Sequence, residues 1–174
     1  MPTLVVDASA AIAYLRNEPG GDRAEHAFEE HDDILVPTIF WPELVNVLAR
    51  RHSWRGSEIL AAIYDLEQLG VRTEPYARTL ALAMIDAVEA HGLSGYDAEY
   101  LVLAEAADAV LLTGDVRLVA AAGASAIDIH DGGRIGEPIV AYERPVEWPS
   151  WPGAIAYLDQ LRREVDAELE PQRG

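Results

Sequence analysis

Four carboxylates in this sequence stand where an apolar segment ends or where a helix is expected to begin. Asp7 closes the run "LVV" and Asp115 follows "AVLLTG", whereas the other two lie early in predicted helices. The four acids are Asp7, Glu43, Asp97 and Asp115. Each of them alone is typical of a helix cap or of a first-turn charge that the helix dipole favours. Four acids in comparable positions indicate a shared function.

The chemistry that such a set supports requires a cation. Four acids drawn together repel one another and raise each other's pKa values unless a positive charge neutralises them. Carboxylate oxygens select Mg²⁺ or Mn²⁺. A metal held in this way promotes phosphodiester hydrolysis, because it clamps the phosphate, lowers the pKa of a bound water and stabilises the leaving oxygen. The sequence therefore predicts that the four acids are metal ligands and catalytic residues.

The segments between the acids predict the elements that must position them. Short apolar runs indicate strands at 3–6, 34–37, 109–113 and 126–130, and "VRTEP" at 71–75 is expected to form a further short strand. Helices are expected from residue 7 to a break at Pro19-Gly20-Gly21, and then near 22–31 and at 39–51, 58–69, 77–92, 96–107 and 116–123. Strands that alternate with helices form a parallel sheet covered on both faces. The predicted fold is a three-layer α/β fold with four or five parallel strands.

This fold brings the acids to one edge of the sheet. Parallel α/β sheets bind ligands at the carboxyl ends of their strands, and Asp7 and Asp115 follow two of these ends. Helices that follow strands begin at the same edge, so Glu43 and Asp97 are expected to join them.

Two hydroxyl side chains are predicted to cap helices. Thr38 precedes "IFWPELVNVLARR", and Ser57 precedes "EILAAIYDLEQLG". Ser and Thr are favoured at this position because the hydroxyl oxygen accepts a hydrogen bond from a backbone N–H of the first turn.

Composition excludes several classes of protein. The 174 residues include no Cys, so disulfides, thiolate nucleophiles and Cys-based metal sites are absent. All thirteen basic residues are Arg, and the missing Lys argues against phosphate loops of the Walker type and Schiff-base enzymes. No apolar run is long enough to span a bilayer and no basic-then-apolar leader opens the chain. We expect a cytoplasmic protein without a membrane segment.

The net charge of −17 argues against nucleic-acid binding, but the charge is unevenly distributed. Between Glu43 and Glu58 the chain carries Arg50, Arg51 and Arg55 and no acid. Bound metal ions would also reverse the sign of the charge at the acidic site. We therefore predict that these three arginines bind the phosphates of an RNA substrate beside the site.

The sequences around the four acids resemble the PIN-domain ribonucleases, and most closely the VapC-type toxins of type II toxin–antitoxin systems. The matching blocks are "VVDASA", "VPTIFWPELVNVL", "LSGYDAEYLVLAEA" and "LLTGD", over roughly residues 1–130. The resemblance implies a PIN-like fold and RNA cleavage by water that Mg²⁺ or Mn²⁺ activates. It makes Asp7, Glu43 and Asp97 the principal ligands, with Asp115 completing the set directly or through water.

The resemblance also implies supporting residues and partners. Ser9 and Thr113 stand where the family often has a hydroxyl that orients an acid or a water, although a capping role is an equal alternative for each. Asn46, one helical turn after Glu43, is placed to contact substrate or to steady that carboxylate. The expected partners are an RNA substrate, a cognate antitoxin protein and a second copy of the chain in a homodimer.

Residues 131–174 depart from the family pattern. A segment rich in Pro and Trp, "IVAYERPVEWPSWPG", leads to a predicted amphipathic helix. We expect this C-terminal extension to pack on the nuclease domain, 1–130, and an extended dimer interface or a cover over the site are the alternatives.

Two other functions compete with the nuclease. A haloacid-dehalogenase-like phosphatase fails because Ser9 stands where its second Asp is required and because its Lys is missing. The second alternative is a catalytically silent PIN-like binding or regulatory module, which would be expected to lose one or more of the acids that this chain keeps.

Overall fold

Five short strands and seven helices make up the part of the chain that the structure describes, residues 3–75 and 78–130 of a computed structural model. The strands are β1 (Thr3–Val6), β2 (Asp33–Pro37), β3 (Val71–Glu74), β4 (Val110–Thr113) and β5 (Ala126–Asp128). The helices are α1 (Ala8–Arg16), α2 (Gly21–Glu30), α3 (Phe40–Arg50), α4 (Gly56–Gln68), α5 (Arg78–His91), α6 (Gly95–Ala106) and α7 (Val116–Ala122).

The strands form one sheet in the order β3-β2-β1-β4-β5, and every neighbouring pair is parallel. In the central strand, Val5 pairs with Leu35 on one side and with Leu111 on the other. All three side chains are buried, as expected for strands that are covered on both faces. The predicted α/β fold with a parallel sheet of four or five strands is confirmed, with five strands.

The helices cover the sheet in two sets. The chain passes from β1 through β2 to β3 with α1 to α4, and then returns to β4 and β5 with α5 to α7. Because crossovers between parallel strands are right-handed, the reversal of direction places the two sets on opposite faces. α1 packs on α2 and α3, while α6 packs on α5 and against β1, β2 and β4. The strand order reverses between β1 and β4, which is where such sheets bind ligands.

The predicted cap of α3 is wrong. The helix begins at Phe40 with Ile39 in the capping position, and the Glu43 N–H donates to the Ile39 carbonyl over 3.1 Å. The Thr38 hydroxyl donates instead to Oε1 of Glu99 on α6, at 3.3 Å. Glu99 is buried, so its carboxyl group needs a hydrogen-bond partner in the protein. The same burial raises its pKa, and the bond from Thr38 partly offsets this increase. Thr38 therefore links the end of β2 to α6.

The predicted cap of α4 is also wrong. This helix begins at Gly56, with Arg55 in the capping position, so Ser57 lies inside the first turn. Oε2 of Glu58 accepts a hydrogen bond from the Arg55 N–H at 2.6 Å. The start of α4 is thus capped by an acid inside the first turn, whose side chain accepts from the N–H of the preceding residue. The prediction looked for a hydroxyl before the apolar segment and so did not find this contact.

Two predicted ends also shift. α1 ends at Arg16, before the predicted break, because Asn17 adopts a left-handed conformation with φ of 51°. β5 ends at Asp128 and not at residue 130, since the His130 N–H donates to Oδ1 of Asp128 at 2.8 Å and turns the chain.

Within 3–75 and 78–130, no helix has the length and apolar character needed to cross a membrane. The proposed extension, 131–174, and the predictions made for it lie outside the described residues.

Candidate active site

The structure brings the four acids to the carboxyl edge of the sheet. Asp7 follows β1 and Asp115 lies two residues after β4, the two strands between which the order reverses. The Asp7 N–H donates to the Leu112 carbonyl at 3.0 Å, which holds these two strand ends together. Glu43 lies in the first turn of α3 and Asp97 in the first turn of α6. Both helices begin at the same edge as the strand ends.

Asp7 is held by hydroxyl groups and does not cap a helix with its side chain. It occupies the capping position of α1, but its carboxylate makes no capping hydrogen bond there. Instead Oδ2 accepts hydrogen bonds from Ser9 Oγ and, at 2.8 Å, from Thr113 Oγ1. Only 5% of Asp7 is exposed, and this burial raises its pKa. The two hydroxyls lower that pKa, while the charges of Asp115 and Asp97 raise it further.

The same two hydroxyls fasten the loop that carries Asp115. Thr113 Oγ1 accepts a hydrogen bond from the Asp115 N–H at 3.0 Å, and Ser9 Oγ accepts one from the Gly114 N–H at 2.9 Å. Each hydroxyl therefore donates to Asp7 and accepts from the loop between β4 and α7. Thr113 is fully buried, so this network lies beneath the site and not in solvent. The predicted neighbours of the acids, Ser9 and Thr113, are thus in contact with Asp7.

The pKa of Glu43, like that of Asp7, is raised in the site. Burial raises its pKa from 4.5 to about 7, and the charge of Asp7 contributes the next largest increase. Asp97 and Asp115 add smaller increases, whereas a hydrogen bond from Tyr100 lowers the pKa. The charges of the other three acids therefore all act on Glu43.

Tyr100 is a residue that the sequence analysis did not single out. Its hydroxyl donates to Oε2 of Glu43 at 2.8 Å, and only 1% of the residue is exposed. Burial, together with the charges of Asp7 and Glu43, raises the pKa of this phenol, so it remains a donor. Tyr100 lies three residues after Asp97, on the same face of α6. That spacing is the signal that could have revealed it.

Asp97 and Asp115 cap helices as well as facing the site. Asp97 and Ser94 form a capping box at the start of α6, with the Asp97 N–H donating to Ser94 Oγ at 3.1 Å. Oδ1 of Asp115 accepts from the Arg117 N–H at 2.7 Å at the start of α7. The capping and functional interpretations of these two acids therefore coexist. In Asp97, Oδ2 accepts from both the Ser94 N–H and Arg117. In Asp115, Oδ1 caps α7 while Oδ2 faces Arg117.

Arg117 is the second residue that the sequence analysis missed. Its Nη2 lies 3.3 Å from Oδ2 of Asp97 and 3.3 Å from Oδ2 of Asp115. Arg117 stands two residues after Asp115, outside the group of arginines between residues 50 and 55 that was predicted to bind RNA.

The other predicted residues lie farther from the acids. Asn46 is exposed on α3, and its side chain forms no hydrogen bond with the described residues. Arg50 ends α3, seven residues after Glu43 and so about 10 Å along the helix axis. Arg51 and Arg55 follow it, and Arg51 lies near His52 at the opposite end of the helix from the acids. The structure does not bring these three arginines to the carboxylates.

The donor set fits a hard divalent cation. Its members are oxygen donors, and the charges of the other three acids raise the pKa of Glu43. Among the described residues, no three acids or histidines stand close enough together to hold one ion as they are arranged. Each carboxylate is engaged instead by a hydroxyl, a phenol, a backbone N–H or a guanidinium. Binding an ion therefore requires these side chains to turn toward one another.

The sequence profile of the PIN domain matches residues 4–124 of this chain. The chain belongs to the PIN-domain family. Ribonuclease VapC3 from Pyrobaculum aerophilum is 33% identical to it over an alignment of 120 residues that covers 66% of this chain and 91% of that protein. The predicted membership in this family, with a VapC-type relative, is confirmed.

Solved structures share the fold of the described domain. A toxin–antitoxin complex from Klebsiella pneumoniae matches with a TM-score of 0.58 and 16% identity, over 73% of this chain and 98% of that one. VapC20 from Mycobacterium tuberculosis, a toxin that cleaves the sarcin–ricin loop, matches with a TM-score of 0.55 and 16% identity, over 78% of this chain and all of that one (100%). At these identities the likeness concerns the fold.

Proposed function

We propose that this PIN-domain protein is a Mg²⁺- or Mn²⁺-dependent endoribonuclease that hydrolyses RNA phosphodiester bonds as the toxin of a toxin–antitoxin pair. The observation that supports the proposal is the placement of four carboxylates at the carboxyl edge of the sheet, where burial and the charges of the other three acids raise the pKa of Glu43 to about 7. An acid cluster of this kind has an evident use as a cation site. The relative VapC3, named as a ribonuclease, supports the choice of substrate.

The acids have distinct roles in this proposal. Asp7, Glu43 and Asp97 hold the ion, and Asp115 completes the set directly or through water. When bound, the ion supplies the positive charge that polarises the phosphate and lowers the pKa of the attacking water.

The chain's own side chains hold Asp7 and Glu43 in position and favour their ionised forms. Ser9 and Thr113 donate to Asp7, and hydrogen bonds to the charged form favour that form. Tyr100 does the same for Glu43. These donors offset part of the burial that would otherwise keep the acids protonated. Removing one of them is therefore expected to weaken metal binding without removing a ligand.

The substrate contacts are also proposals. Asn46 is exposed on α3 three residues after Glu43, where an RNA strand that enters the site would pass. Arg50, Arg51 and Arg55 lie beyond it and would contact phosphates at a distance from the bond that is cut. We propose further that the protein acts in the cytoplasm as a homodimer and that a cognate antitoxin silences it.

The direct test is cleavage of total cellular RNA by the purified full chain with Mn²⁺ or Mg²⁺, with fragment ends mapped by sequencing. Discrete cuts are expected, and they should disappear with EDTA and in Asp7→Asn. Asp65→Asn, the same change at an exposed position of α4, is the matched control and should cut like the wild type. Mn²⁺ binding without any cut would favour the silent binding module over the nuclease.

A further inference from the structure

Arg117 places its guanidinium between two of the four acids. Nη2 lies at 3.3 Å from both Asp97 and Asp115, and the Arg117 N–H also donates to Asp115 at 2.7 Å. The backbone of this arginine is thus fixed to the site, whereas its side chain spans the two carboxylates across the start of α7. No proposed role in metal binding or in catalysis accounts for a cation in this position.

The burial of the three groups differs. The side chain of Arg117 is 57% exposed, whereas those of Asp97 and Asp115 are 21% and 10% exposed. The guanidinium therefore lies at the mouth of the site, above the carboxylates. Its contacts are long for charged hydrogen bonds, and an exposed side chain of this length changes rotamer readily. It neutralises the acids from a position that it is free to leave.

A divalent ion and this guanidinium compete for the same oxygens. The proposed function requires Asp97 and Asp115 to turn toward an ion. The Arg117 guanidinium, at 3.3 Å from both acids, repels a divalent cation and occupies the oxygens that the cation would bind. Once displaced, Arg117 remains tethered beside the site through its backbone. An arginine in that place is suited to bind a phosphate of the RNA, because its planar donors match phosphate oxygens.

We propose that Arg117 is the counter-ion of Asp97 and Asp115 in the metal-free protein and that it transfers to an RNA phosphate when metal and RNA bind. This inference rests on the proposed function and adds a substrate-positioning residue to it. It has a consequence that a structural role lacks. Removing the guanidinium strengthens metal binding and weakens RNA binding, whereas a loss of folding or packing weakens both.

The test uses the full chain and two readouts, Mn²⁺ affinity by calorimetry and the KM and kcat of RNA cleavage at saturating Mn²⁺. Arg117→Met is expected to bind Mn²⁺ roughly 3- to 10-fold more tightly, as the loss of two partly exposed ion pairs allows. It should raise the KM for RNA on the order of 10-fold, as for a lost charged hydrogen bond. Arg117→Lys keeps the charge and should move Mn²⁺ affinity little.

A matched control is available in Arg72. Its side chain is 55% exposed and also spans two acids, at 2.9 Å from Asp33 and 3.4 Å from Glu74, on the edge strand β3. Arg72→Met should leave both readouts at wild-type values. A change of the same size in this variant would attribute the effect to net charge and would overturn the inference.

The other outcomes separate the inference from the proposed function. Mn²⁺ affinity in Arg117→Met that equals or falls below that of the wild type overturns the counter-ion role, with the nuclease intact. Tighter Mn²⁺ binding with an unchanged KM overturns the transfer to phosphate. An absence of Mn²⁺ binding in the wild type overturns the proposed function, and this inference with it.

Discussion

Replacing Glu43 by Gln is expected to stabilise the metal-free protein at neutral and alkaline pH. The substitution keeps the shape of the side chain and an oxygen that can accept from Tyr100, while it removes the charge. Burial and repulsion from the three other acids make this charge unfavourable in the folded state, and the pKa of Glu43 is therefore raised from 4.5 to about 7. An enzyme residue that destabilises its own fold is consistent with a site that waits for a cation.

The sign and size follow from the pKa shift. A raised folded-state pKa means that folding favours the protonated acid, so stability is full below pH 4.5 and is lost as pH rises through about 7. The full shift corresponds to roughly 3 kcal/mol. Because Glu43 is half-buried, solvent screens part of this energy, and we expect roughly 1 to 2 kcal/mol above pH 7.

The assay is urea unfolding of the wild type and Glu43→Gln in EDTA at pH 4 and pH 8. The variant should be more stable at pH 8 and about equal to the wild type at pH 4, while added Mn²⁺ should stabilise the wild type more than the variant. Glu67→Gln, the same change at an exposed site of α4, should show no pH-dependent difference. A variant that is less stable than the wild type at pH 8, or equally displaced at both pH values, would refute the reasoning.

Two further substitutions test the network around the acids. Thr113→Val removes the buried hydroxyl that donates to Asp7 and accepts from the Asp115 N–H, so urea unfolding should show a loss of about 2 to 3 kcal/mol, and an unchanged midpoint would contradict the network. Tyr100→Phe removes the donor to Glu43 and should lower stability by about 1 kcal/mol and weaken Mn²⁺ binding measured by calorimetry, whereas unchanged Mn²⁺ affinity would show that Tyr100 does not position this acid.

The strands and their parallel arrangement were accessible to sequence reasoning because the three strands at the centre of the sheet, β2, β1 and β4, are short apolar runs. Segments such as "TLVV" and "VLLT" are buried on both faces, so their residues are almost all apolar. This pattern can be recognised without knowing which other segments they contact. The starts of α3 and α4 were less accessible. Thr38 donates to Glu99 on α6 instead of capping α3. At the start of α4 the capping contact is made by Glu58 inside the helix and not by Ser57.

The candidate site divides in the same way. The convergence of Asp7, Glu43 and Asp115 follows from the rule that the carboxyl ends of parallel strands and the starts of the helices that follow them share one edge. Asp97 lies on α6, which follows another helix, so this rule alone does not place it. The contacts that decide their chemistry join separate elements. Spacing places Tyr100 on the face of α6 that carries Asp97, but its contact with Glu43 on α3 and the contacts of Arg117 with Asp97 and Asp115 depend on side-chain conformations that the sequence does not specify. The arginines that were predicted to bind RNA because they are grouped in the sequence lie at the far end of α3, as Arg50 does, or beyond it.

The measurement that tests the central claim most directly is calorimetric titration of the full chain with Mn²⁺, repeated for single Asp→Asn changes at positions 7, 97 and 115 and for Glu43→Gln. The account predicts saturable binding by the wild type that each change weakens or abolishes, while Asp65→Asn binds like the wild type. Wild-type binding that survives all four changes would place the ion elsewhere and contradict a shared site formed by these acids.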